Sequence, residues 1–298
     1  MGTDKVTDKV TDKVTGKVTD RGADMGTDKG TGWERRRRVH FDEIVKKYDG
    51  IRPGFPVELF DDIFDYVGTD AGKKALEIGA GTGKGTVPFL DAGYDVTAVE
   101  LGVKMASFLR ERFKSNKNFR VIVAAFEDAV LDEGAYDLVY AAAAFHWVDA
   151  EIGCPKVFRL LKKGGTFALF RYNTIPADNS ELYEEIQEIY EKYYFKPYKR
   201  PVKKKADKFL EPSGIKRGFG FEDLKSYGFG DISMKLYDVS RTFDADEYIT
   251  LLETFSDHRS LPESDRAALL AGVREAILKH GGRYKVDYVF QLYMGRKL

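Results

Sequence analysis

Three glycines at alternate positions, Gly79, Gly81 and Gly83, directly follow the apolar run Lys73-Lys74-Ala75-Leu76-Glu77-Ile78, and no other feature of the sequence restricts the fold as strongly. Glycines placed after a strand let the backbone turn sharply, approach a ligand without Cβ clashes and present amides at a helix N-terminus. The residues after Gly83 predict a helix to about Ala92. Further strands are predicted over Tyr94 to Val99, Phe119 to Ala124, Tyr136 to Ala142 and Gly165 to Phe170. Between them lie two helices, Val103 to Lys114, with Met105, Phe108, Leu109 and Phe113 on one side, and Cys154 to Lys162. Alternating helices and apolar, β-branched strands predict a parallel sheet covered on both faces, a doubly wound α/β fold. In such sheets ligands bind beyond the carboxyl ends of the strands. The chemistry is therefore expected in Gly79 to Gly83, Glu100 to Leu101, Ala125 to Asp128, Ala143 to Asp149 and Arg171 to Asn173.

The glycine spacing excludes two common nucleotide loops. Lys84 stands where a dinucleotide GxGxxG loop needs its third glycine, and Gly85 follows Gly83-Lys84 where a phosphate loop needs Ser or Thr. Glu100 closes the second strand 17 residues past Gly83. A carboxylate there can accept two hydrogen bonds from a ribose diol, which indicates an adenosine-type ligand; the alternative is that it caps the helix beginning near Val103.

Ala75-Leu76-Glu77-Ile78-Gly79-Ala80-Gly81-Thr82-Gly83, Glu100, Phe126-Glu127, Tyr136-Asp137-Leu138-Val139 and Phe145-His146-Trp147 together resemble a class I S-adenosylmethionine-dependent methyltransferase. Within that class they resemble the small-molecule branch that includes the trans-aconitate methyltransferases and the type 11 domain. Tyr48 and Arg52-Pro53-Gly54-Phe55-Pro56 resemble the same branch. The resemblance covers about Phe41 to Asn173 and implies a Rossmann-like, seven-stranded sheet with its last strand antiparallel. It implies S-adenosyl-L-methionine as cofactor, with Gly79 and Gly81 along the methionine part, Glu100 on the ribose, and Phe126 and Glu127 at the adenine. The loop from Ala142 and Ala143 to Trp147 would face the sulfonium. Tyr48, Glu77, Ala80, Gly83, Leu101 and Met105 complete the implied cofactor site. Ala125 replaces an Asp common in relatives, which leaves adenine recognition to backbone and Phe126.

Methyl transfer from a sulfonium is an in-line displacement in which positioning does most of the work. A carboxylate acceptor needs no base, whereas a hydroxyl, thiol or amine generally does. His146, just beyond the fourth strand, is either that base or a wall of the pocket beside Trp147. Arg52, Trp147 and Tyr172 are the further expected substrate contacts. Arg259 is either a ligand for a substrate carboxylate or a surface ion pair. Cys154 is read as a buried structural thiol, and one cysteine with four histidines cannot build a cysteine-rich zinc site; no metal is expected. Ala143-Ala144-Phe145-His146 is unlike the Asn/Asp-Pro-Pro-aromatic loop of base-amine methyltransferases acting on DNA.

Outside the core, residues 1 to 32 are a four-residue repeat of the Thr-Asp-Lys-Val type, read as a disordered tail. Residues 33 to 70 read as a helical cover containing Arg35-Arg36-Arg37-Arg38, an amphipathic helix with Phe41, Ile44, Val45 and Tyr48, and a second helix from Pro56 to Tyr66. The cofactor-binding core is assigned to 71 to 174. Residues 175 to 221 are an insertion, an acidic helix followed by a basic stretch from Lys192 to Lys208. Residues 222 to 298 hold the remaining strands, Ile232 to Asp238 and Tyr284 to Met294, with lid helices within 244 to 280. Lys plus Arg and Asp plus Glu balance at 48 each, so no global field draws the chain to nucleic acid or membrane. The expectation is a cytoplasmic enzyme, monomeric or weakly dimeric, that methylates a small acceptor, carboxylate-bearing acids included. The rivals are an RNA or protein methyltransferase guided by Arg35 to Arg38 and Lys203 to Lys205, and a non-catalytic cofactor binder.

Overall fold

A computed structural model describes residues 50–69, 72–175, 181–199 and 223–298. The repeat tail, Arg35 to Arg38, the helix expected around Tyr48, and Lys203 to Lys205 lie outside the described residues. Seven strands form one sheet: β1 (Lys74–Ile78), β2 (Asp95–Glu100), β3 (Phe119–Val123), β4 (Tyr136–Ala142), β5 (Leu161–Ile175), β6 (Phe229–Asp244) and β7 (Arg283–Lys297). Their order is β3-β2-β1-β4-β5-β7-β6. β1 to β5 pair in parallel, and β7 runs antiparallel between β5 and β6. The doubly wound, Rossmann-like expectation, with the last strand antiparallel, is met.

The α-helices of six or more residues among the described residues are α1 (Val57–Val67), α2 (Thr86–Asp91), α3 (Val103–Arg112), α4 (Ala150–Leu160), α5 (Glu181–Tyr190), α6 (Ala245–Glu253) and α7 (Glu263–Lys279). Period-two alternation along β1 divides the core between the two sheet faces. Ala75 joins Phe60, Phe89, Tyr140 and Phe170 on one face, while Leu76 and Ile78 join Val139, Phe167 and Leu160 on the other. No described helix is long and apolar enough to cross a membrane.

Three elements differ most from the sequence reading. β6 runs over Phe229–Asp244 where Ile232 to Asp238 was expected, its added residues pairing with β7. α4 begins at Ala150 rather than near Cys154, because the Asp149 side chain caps it by accepting from the Glu151 amide at 3.0 Å. β5 continues to Ile175, because Arg171 to Ile175 find partners in β7 from Gln291 to Asp287. Polar residues at the end of a strand carry no apolar pattern, so only the ladder reveals them. The insertion and the carboxyl-terminal helices share the face that buries Ala75: Ile186, Leu251, Leu252, Leu269 and Val273 belong to the cluster containing Phe170 and Phe290.

Candidate functional site

The sheet reverses its winding between β1 and β4, and at their carboxyl ends lies a cleft. Its walls come from the loops after β1, β2, β3 and β4, from Tyr172 on β5, and from Arg52, Pro53 and Phe55 ahead of α1. Of the residues expected at the cofactor, Gly79, Ala80, Gly81, Glu100, Leu101, Met105, Ala125, Phe126, Glu127, Ala142 and Ala143 all line it. So do Arg52, Trp147 and Tyr172.

Glu100 anchors the centre of this site. Its Oε2 accepts from the Gly81 amide at 2.8 Å and its Oε1 from the Gly102 amide at 2.8 Å. The two bonds orient the carboxylate, and each oxygen has a second lone pair for a ligand hydroxyl. Gly79 has φ +70, and a Cβ on it would lie 2.6 Å from Ala144 Cβ, so the first glycine allows the β1 and β4 loops to touch. Gly83 does not reach the cleft: its Cα faces the Phe113 ring and Leu109, and the absent side chain lets the loop pack on α3.

The loop after β3 is held by a residue that sequence reasoning passed over. Lys156 on α4 donates to the carbonyls of Phe126 at 2.7 Å, Glu127 at 3.1 Å and Ala129 at 2.6 Å, with its ammonium 5.2 Å from the Phe126 ring centroid. Burial pulls its pKa down. After β4, Ala143 takes the left-handed conformation at φ 54, and its amide donates to the Phe170 carbonyl at 2.7 Å.

The cleft lining does not include His146. Phe145 to Trp147 form a single 3-10 turn, in which successive side chains fan out by about 120°. Phe145 enters the core and Trp147 lines the cleft, whereas His146 is exposed, with its ring centroid 4.9 Å from that of Trp147, and borders a shallow depression beside Arg171 and Tyr293 that adjoins the cleft at Ala143 and Ala144. Arg259 is not on the cleft wall either. In its segment it is Thr254 and Phe255 that meet the wall, through Arg52. Arg52 Nε donates to Thr254 Oγ1 at 2.8 Å, Nη2 to the Thr254 carbonyl at 2.9 Å and Nη1 to Tyr172 Oη at 2.9 Å, with the guanidinium 4.4 Å from the Phe255 ring centroid. Lys84, also on the wall, donates to the Arg52 carbonyl at 2.5 Å. Thr254 lies 202 residues from Arg52 and carries no sequence signal of this pairing. Tyr48 lies outside the described residues.

Glu77 is not on the wall but behind it, wholly buried. Its Oε2 accepts from Thr86 Oγ1 and from Tyr140 Oη at 3.0 Å. Burial raises its pKa to about 8, against the pull of these two bonds and aided by the charge of Glu100.

The Rossmann-like sheet and the glycine loop tied to the acid ending the next strand accord with a class I, S-adenosylmethionine-dependent methyltransferase, the class that the chain's matches support. In agreement, residues 76–169 match the family described as "Methyltransferase domain". The chain is 28% identical over 240 residues to an uncharacterised methyltransferase-like protein of Schizosaccharomyces pombe, covering 79% of this chain and 84% of that one. It is 33% identical over 135 residues to an uncharacterised methyltransferase of Mycobacterium bovis, covering 45% of this chain and about half, 53%, of that relative. Among solved structures, one from Anaeromyxobacter dehalogenans, provisionally assigned as a type II methyltransferase, shares the fold with TM-score 0.57 and 21% identity, over 83% of this chain and 98% of that one.

The residues present fit S-adenosylmethionine. Glu100, with its carboxylate oriented by two amides, would hold the ribose, Val99, Met105 and Phe126 would flank the base, and the Gly79 to Gly81 backbone would admit the ligand without side chains in the way. When bound, the cofactor supplies an electrophilic methyl group on a sulfonium.

Proposed function

We propose that the chain transfers this methyl group to a small acceptor bearing an anionic group, carboxylic acids foremost. The observation that carries this reading is Arg52, fixed on the cleft wall by Thr254 and Tyr172 with Lys84 bonded to its own carbonyl. A planar guanidinium whose rotamer is already locked loses little entropy on receiving a carboxylate and presents it in one orientation. Phe55 and Trp147 add apolar walls for the acceptor's carbon skeleton. No histidine among the described residues lines the cleft, which suits an acceptor that arrives deprotonated and needs no base. Residues of this chain then act by orientation: Arg52 and Tyr172 hold the acceptor while the glycine loop and Glu100 hold the donor.

Incubation with donor carrying a labelled methyl group and a mixture of small carboxylic acids tests the reading. Label is expected in an acid as its methyl ester, with KM for that acid raised about tenfold or more in Arg52→Met, the loss of one charge-assisted pair. Label entering only neutral amines or thiols, RNA or protein would overturn it.

A further inference from the structure

Glu77 places a carboxyl group on the apolar face of β1. It lies on the side of Ala75, wholly buried, beside Tyr140 of the cluster that holds Phe89 and Phe170. Its Oε2 is bonded to Thr86 and Tyr140, but its Oε1 has no hydrogen-bond partner. A buried, unpartnered carboxyl oxygen is costly and calls for a reason.

The reason lies in what separates it from the cleft. A Cβ on Gly85 would sit 2.7 Å from Glu77 Oε1 and 2.8 Å from Ala142 Cβ. Both Gly85 and Ala142 line the cleft. Gly85 therefore abuts this carboxyl on one side and lines the cleft with its neighbour Ala142 on the other. The titratable groups acting on Glu77 are Tyr140 from β4 and Glu100 from the end of β2. α2 contributes the Thr86 hydroxyl and the glycine loop only backbone, neither of which titrates. In surroundings so poor in solvent the carboxyl keeps a proton near neutrality, and a positive charge brought to the other side of Gly85 favours its release.

We propose that Glu77 senses the charge of the methyl donor: it is protonated in the ligand-free protein and yields that proton to solvent when the sulfonium docks. S-Adenosylmethionine carries one more positive charge than S-adenosylhomocysteine, whose sulfur is neutral. The ionised carboxylate thus favours donor over product, and the preference strengthens as pH rises. Methyl transfer removes the charge, so Glu77 takes a proton back as the product forms and the product's hold on the site weakens.

Calorimetric titration in two buffers of different ionisation enthalpy counts protons released per ligand bound. The ligand's own amino group titrates alike in wild type and Glu77→Gln, so the difference between the two proteins isolates Glu77. That difference is expected to be clearly larger for S-adenosylmethionine than for S-adenosylhomocysteine. From about pH 6 to about pH 8.5 the ratio of donor to product affinity is expected to rise about tenfold more in wild type than in Glu77→Gln, a one-unit coupling, the ligands' own amino groups acting alike in both proteins. Equal differences for the two ligands, or the full wild-type proton count in Glu77→Gln, would overturn the proposal. Should that variant fail to fold, Thr86→Val removes a donor to the carboxylate and is expected to move the release to higher pH; an unmoved midpoint would overturn it equally.

Discussion

The Gly81 amide donates to Glu100 Oε2 at 2.8 Å, joining the loop after β1 to the residue that ends β2. The bond spans 19 residues and makes the glycine turn and the acid one unit. On the proposed ribose role, Glu100→Ala removes a ligand for the cofactor as well as a brace for its loop. Cofactor affinity measured by calorimetry is expected to fall about 10- to 100-fold, the worth of hydrogen bonds to a charged group. Unchanged affinity would refute the ribose role.

Gly79→Ala places a Cβ 2.6 Å from Ala144 Cβ at a residue with φ +70. Both the clash and the left-handed conformation oppose it, at a cost of about 1–3 kcal/mol. The melting temperature is expected to drop by several degrees, with weaker cofactor binding; a variant as stable as wild type would show that the two loops do not need to touch.

His146→Ala removes a ring that packs on Trp147 at 4.9 Å between centroids but does not itself line the cleft. Turnover is expected to stay within about twofold of wild type, since no proton transfer passes through this ring. A hundredfold loss would restore His146 as a base.

Lys156→Met removes three carbonyl contacts from the loop that carries Phe126 and Glu127. Leaving carbonyls without their cation costs about 1–3 kcal/mol. The effect is expected in cofactor affinity as well as melting temperature, and an altered stability with unaltered affinity would separate this loop from the site.

The ligand-free protein is expected to lose stability as pH rises. Folding lifts Glu77 from an ordinary carboxyl value of 4.5 to about 8, so between these values the folded chain holds a proton that the unfolded chain has released. The contribution is complete below about pH 4.5 and is lost by about pH 8, on the order of a few kcal/mol. Chemical denaturation of wild type and Glu77→Gln at both ends of this range checks it: the variant is expected to lack the decline.

The local pattern was enough to read the β1 loop, the order of strands and helices through β5, and the acid ending β2. Gly79, Gly81 and Glu100 lie next to the strands that carry them, so their positions follow from strand assignment alone. For His146, read as either a base or a wall beside Trp147, the sequence left the direction open, because once the backbone leaves a strand periodicity no longer says which way a side chain points; in the 3-10 turn Trp147 lines the cleft and the exposed His146 packs on its ring. Arg259, read as either a carboxylate ligand or a surface ion pair, is not on the cleft wall, and Thr254 and Phe255 from the same segment hold the guanidinium that lines it. Periodicity and glycine spacing are properties of neighbours in the chain, and they determined the sheet, the donor loop and its acid. The clamp on Arg52, drawn from residues up to 202 positions away, and the buried proton-holding state of Glu77 depend on which distant atoms exclude water, and only the packed tertiary structure decided those.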